Sequence, residues 1–158
     1  MPATHDHADL LLRTYEMRRE PQLRKSRDFM GRKCEARTFE EYNKKYPMGS
    51  PASQHFGKVF GYWDMVCALV DRGLIDKDLF DTCNFEHVFL FLKFRPVIEG
   101  FRKAQNYPQM LASMERVATT HPWFAEMEKW SVQAAEQAER KHAGKAAGKA
   151  KAKRAAGR

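Results

Sequence analysis

Six histidines, three cysteines and several neighbouring carboxylates are the residues of this chain with the means to do chemistry. Their spacing decides how much. His5 and His7 form a His-x-His pair close to the N-terminus, which supplies two ligands at most where zinc sites use three or four protein ligands. His55, His87 and His121 fall on three separate predicted elements, and each reads as a capping or surface histidine. Cys34, Cys67 and Cys83 are odd in number and include no Cys-x-x-Cys pair. Cys67, between Val66 and Ala68, reads as a small core residue. Cys67, Cys83 and His87 match no zinc pattern, and three cysteines make no disulfide framework. Glu16 and Glu20 share a helix face, but Arg18, Arg19 and Arg24 surround them, so exposed ion pairing is expected. Glu40 and Glu41 are adjacent and open a helix. A di-metal bundle needs two Glu-x-x-His motifs on facing helices, and the chain holds no such pair. No nucleophile elbow, phosphate loop or dinucleotide fingerprint is present. The expectation is therefore a protein that is not an enzyme, with no cofactor and no metal.

Charge is the stronger signal. Arg140, Lys141, Lys145, Lys149, Lys151, Lys153, Arg154 and Arg158 are eight cations, and no acidic residue follows Glu139. Removing them from the 28 Lys and Arg leaves 20, equal to the 20 Asp and Glu. The net charge of +8 thus belongs wholly to the last segment, and the body is formally neutral. Residues 143–150 repeat Ala-Gly-Lys-Ala twice, and the segment has no large apolar side chain to offset the entropy of ordering. A disordered basic tail over 140–158 is expected. Its functional reading is sequence-independent binding of nucleic acid. Eight phosphate contacts would give a slope of log K against log salt of at most about −7. Without an aromatic residue the tail cannot stack on bases. Its bland reading is a solvated tail that aids solubility.

The elements that would position these residues are helical. Leu10, Leu11, Leu12 and Tyr15 suit a helix from Asp9 to Arg19. Glu20-Pro21 breaks it, and Pro21 fits the first position of a second, strongly charged and peripheral helix. Thr38-Phe39-Glu40-Glu41 matches a capping box, opening a helix to about Lys45. Tyr46 to Pro51 is a loop. Phe56, Phe60, Trp63, Cys67 and Val70 recur at helical spacing over 52–72, and Gly73 stops that helix. Asp76 and Asn84 look like caps of the next two helices. The second of these, about 85–105, is apolar on most sides. A strand over 88–92 is possible on composition, but it has no partner strand, so a buried central helix kinked at Pro96 is favoured. A helix from Pro108 to about Ala118 follows. A last one opens at His121-Pro122, with Trp123, Met127, Trp130 and Ala134 along one face.

Several of these stretches together resemble a bacterial family of small helical proteins known only as a domain of unknown function. The likeness runs from Leu11 to about Phe101. It rests on Leu-Leu-Arg-Thr-Tyr-Glu-Met-Arg-Arg-Glu-Pro, on the helix around Phe60 and Trp63, on Val-Asp-Arg-Gly-Leu-Ile-Asp, and on Phe-Arg-Pro-Val-Ile-Glu-Gly-Phe-Arg. The resemblance implies an all-helical fold and supplies no activity or site residues. Members of that family often carry an N-terminal membrane helix, and none is expected from the residues of this sequence.

The expected architecture is a compact all-α bundle of about six to seven helices. Residues 1–7 are read as a flexible start, 8–139 as the helical domain and 140–158 as the tail. No apolar run approaches the ~20 residues that span a bilayer, and the first residues do not form a signal peptide. A cytoplasmic location is expected. The favoured function is a non-enzymatic interaction protein that docks a protein partner or a second copy, with Trp123 and Trp130 as candidate contact residues. The alternative is non-specific nucleic-acid binding through the eight tail cations.

Overall fold

The computed structural model describes residues 3–137 and residue 140. These residues are helical with no strand among them, as expected, although the helices outnumber the six to seven anticipated. They run α1 (His5–Arg18), α2 (Pro21–Asp28), a π-helical turn (Phe29–Lys33), α3 (Phe39–Lys45), α4 (Gln54–Asp71), α5 (Lys77–Cys83), α6 (Glu86–Ala104) and α7 (Ala112–Thr119). A further helix occupies 124–137. The chain divides into two units after Phe124, within the stretch read as a single domain.

Local capping explains most boundaries. α1 starts four residues ahead of the expected Asp9, because Thr4 and His7 form a capping box: the Thr4 hydroxyl accepts from the His7 amide, and the His7 ring accepts from the Thr4 amide. Glu20 caps α2 by accepting from the Leu23 amide at 2.7 Å, with Pro21 at the first helical position. Thr38 caps α3 through the Glu41 amide, while the Glu41 carboxylate reaches back one residue further than expected, to the Arg37 amide. Asp76 caps α5 as anticipated. Asn84 does not cap α6. Its amide donates to the Phe80 carbonyl at the end of α5, and its side-chain oxygen accepts from Arg18. The helix expected from Pro108 begins later, at Ala112, because Leu111 adopts a left-handed conformation with φ 58° that closes the preceding turn.

The core of the first unit is aromatic. The stripe on α4 is buried throughout, and so are Val88, Leu90, Phe91, Phe94, Val97 and Ile98 on α6. The two helices meet through rings: Phe56 and Phe60 stack at 4.2 Å, and Phe94 sets its edge against Phe60 at 5.5 Å. Burying each such side chain is worth about 1.5–3 kcal/mol. α3 closes one end, with Tyr42 against Phe56 and Phe101, and Phe39 against Phe101. α7 packs on α4 and α6 through Met114, Val117 and Ala118. It lacks a local side-chain cap, and Asp64 of α4 instead accepts from the Met114 amide at 2.9 Å. Pro96 lies inside α6 on its exposed side, where its missing N–H leaves a carbonyl within reach of solvent.

Gly100 is the tightest point of this packing. A Cβ there would collide with Cβ and Cγ of Phe39, which have little freedom to retreat. Gly61, on the exposed side of α4, has open space around it. Gly100→Ala is expected to destabilise the fold by about 1–3 kcal/mol, and Gly61→Ala to stabilise it by about 0.5–1 kcal/mol. Urea denaturation of the two variants checks both signs.

Candidate functional site

α1 and α2 form a hairpin whose arginines converge on the start of α6. Arg18, in the last turn of α1, donates to Glu86 Oε2 at 2.7 Å and to Asn84 Oδ1 at 3.2 Å. Arg27 of α2 grips the same carboxylate as a fork, Nε on Oε1 at 2.8 Å and Nη2 on Oε2. All three charged side chains are largely buried. Glu86 also lies in the first turn of α6, where the helix dipole favours a negative charge. The Arg18 guanidinium lies 5.4 Å from the Trp63 ring, so the cluster rests on the aromatic core.

Beside this cluster the chain leaves a cleft of about 520 Å³. The π-helical turn shapes one wall, placing Gly31 and Arg32 on it beyond Arg24, Arg27 and Asp28 of α2. Such turns widen the helix and often accompany function. Lys93 of α6 holds this one in place, donating from Nζ to the Met30 and Gly31 carbonyls at 2.9 Å each. Burial holds the Lys93 ammonium below its ordinary pKa. Phe85 and Phe89, four residues apart on α6, line the opposite wall and remain 65% and 43% exposed. Lys33 lies 2.9 Å from Asp28, and its hydrogen bond keeps that carboxyl below the usual range. Arg24 has no ion-pair partner among the described residues. Arg32 reaches Asp28 only at 3.7 Å, with 85% of its side chain exposed.

A second cleft of similar volume is apolar, lined by Met17, Leu23, Tyr62 and Met65 with Glu20 and Lys58 at its edges. A third feature is internal. His87 is fully buried among the rings of Trp63, Phe80 and His121, and neither of its nitrogens has a hydrogen-bond partner among the described residues. His121 is nearly buried too, but it is satisfied: Nδ1 accepts from the Trp123 amide and Nε2 donates to the Asn84 carbonyl at 3.2 Å.

The expected site residues fare unevenly. Trp123 and Trp130 are both exposed, at 59% and 56%, but they belong to different units, and Trp123 precedes the helix it was expected to join. Arg140 is helical and exposed. Lys141, Lys145, Lys149, Lys151, Lys153, Arg154 and Arg158 lie outside the described residues. His87 and His121, expected to be surface or capping residues on separate elements, come within 5.7 Å of each other inside the fold. His55 stands apart, bonded to the Ser26 hydroxyl. Among the described residues no group of three His, Cys, Asp or Glu is placed to hold a metal ion, and the three cysteines are free. The expected pairing of Glu16 and Glu20 with their arginine neighbours does not describe the key contacts. Glu20 is a cap, and Arg18 turns to Glu86. The arginine cleft itself escaped the sequence reading, in which α2 was simply a solvated face.

The chain belongs to a family described as a domain of unknown function (DUF4760), whose model matches residues 3–121. No curated protein and no solved structure matches the chain. The family match takes in α1 to α7, both clefts and the buried histidines. Trp123, Trp130 and the basic tail lie beyond it. No helix among the described residues is long and apolar enough to cross a membrane.

Burial, together with the nearby His121 and Lys77, pushes the His87 pKa down from 6.5 to about 3. Below pH 6.5 the unfolded chain takes up a proton that the folded chain refuses, so stability falls as pH drops from about 6.5 to about 3. The expected slope from this residue approaches 1.4 kcal/mol per pH unit. His87→Leu should flatten it, which urea melts recorded across that pH range will show.

Proposed function

We propose that this protein is a non-enzymatic interaction domain. The observation that carries this reading is the pair of clefts on the first unit, each lined by large apolar side chains left open to solvent. In one the open side chains are Met17 and Met65, over half-buried Leu23 and buried Tyr62; in the other they are Phe85 and Phe89 beside the arginines. Grouped apolar surface beside charge marks binding sites more often than scattered apolar residues do. Methionines in the first cleft add an adaptable lining suited to docking. Chemical cross-linking in the source cells, read by mass spectrometry, should join the edges of these clefts to a protein partner or to a second copy. Met65→Glu combined with Phe89→Glu should abolish those links while leaving the circular dichroism unchanged. Links that persist in the double variant, or a wild-type chain that is monomeric by light scattering and forms none, would refute the reading.

The concentration of eight cations from Arg140 onward favours a second reading, non-specific binding of nucleic acid by the tail. Removing everything after Glu139 is then expected to abolish DNA binding and its salt dependence. Equal binding by the full and shortened chains in a salt titration would exclude it.

A further inference from the structure

We infer that the arginine cleft is a docking site for an acidic segment of a partner protein, one that carries an apolar side chain next to its carboxylates. This rests on the reading of the domain as an interaction module and names the partner's chemistry at one site.

Charge selects the occupant. Four guanidinium groups line the cleft, those of Arg18, Arg24, Arg27 and Arg32, against the two carboxylates of Asp28 and Glu86. Glu86 takes up Arg18 and Arg27, and Lys33 supplies a close cation for Asp28. Arg24 has no ion-pair partner among the described residues and exposed Arg32 reaches Asp28 only at 3.7 Å, so both keep donors for a further carboxylate, which a guanidinium edge binds in a two-pronged fashion. Arg24 lies in α2 and Arg32 in the π-helical turn that continues it, about two helical turns further along, so they can take acidic groups from one extended strand of peptide.

The opposite wall selects what lies between those acids. Phe85 and Phe89 present ring surface one helical turn apart, which an apolar side chain of the same segment can cover. The floor is built in advance: the Glu86 fork holds Arg18 and Arg27, and Lys93 holds the π-helical turn. Little ordering then remains to be done on binding. The carboxylates of Asp28 and Glu86 argue against a nucleic-acid strand, whose phosphates would have to lie against them. A peptide can turn its backbone N–H groups toward the same oxygens.

The full chain can be titrated with a short fluorescein-labelled peptide of alternating Glu and Phe, followed by anisotropy. A matching peptide with Gln in place of Glu and a labelled oligothymidylate serve as comparisons. The Glu peptide should bind and the Gln peptide should not. Arg24→Glu with Arg32→Glu should weaken binding about tenfold or more. Phe85→Ser with Phe89→Ser should do the same without changing any charge. Arg72→Glu with Lys103→Glu, which removes equal charge at exposed positions away from the cleft, should leave binding unchanged. Three results would overturn the proposal: no binding of the Glu peptide, equal loss in the charge-matched control, or oligothymidylate bound more tightly than the peptide and lost in the Arg24/Arg32 variant. A chain that still forms partner cross-links in cells while ignoring the Glu peptide would sink this assignment and leave the interaction reading standing. A chain that does neither would sink both.

Discussion

The carboxylate of Glu86 is the contact on which the organisation of the first unit turns. A largely buried carboxylate is costly unless its charge is met, and two guanidinium groups from different helices meet it here. The arrangement ties the end of α1, the body of α2 and the start of α6 to one point. It also decides what the surface beside it can do. Arg18 and Arg27 are consumed as structure, and Arg24 and Arg32 are left as display. The hairpin is held to α4 as well, by the Tyr62 hydroxyl donating to the Thr14 carbonyl and by the hydrogen bond between Ser26 and His55.

Behind that cluster stands the aromatic packing of α4 against α6. Its rings meet at offset and edge-on angles, a geometry that fills space without requiring polar partners. The exceptions are informative. The Trp63 indole N–H and both His87 nitrogens lie unpartnered in one region of this core, where the two rings are 5.6 Å apart. A hydrocarbon side chain at position 87 would avoid that cost. The fold tolerates a histidine there because deep burial keeps it neutral, and sensitivity to acid follows from the same fact.

Much of the architecture was legible in residue order. The apolar stripe of α4, the restart at Pro21, the stop at Gly73 and the Asp76 cap all depend on neighbours within a turn or so, and all are present. The errors fell where a local pattern had a distant competitor. Asn84 has the chemistry of a cap, but Arg18 claims its oxygen from 66 positions away. Thr4 and His7 formed a cap that went unread because histidine is an uncommon capping-box partner at the third helical position. Leu111 took a left-handed conformation that is rare for leucine, so nothing in its identity announced where α7 would begin.

Composition and local spacing by themselves determined that this chain is helical, that its body is formally neutral and that its cationic excess lies after Glu139. Those properties are sums over residues or patterns within four positions, and no packing is needed to read them. The tertiary structure decided which of many arginines become structural and which remain open, and which histidine is sealed away from water. The reason is separation along the chain. Glu86 meets Arg27 across 59 residues and Arg18 across 68, and only the fold, which sets the start of α6 near the end of α1 and the body of α2, brings those charges together.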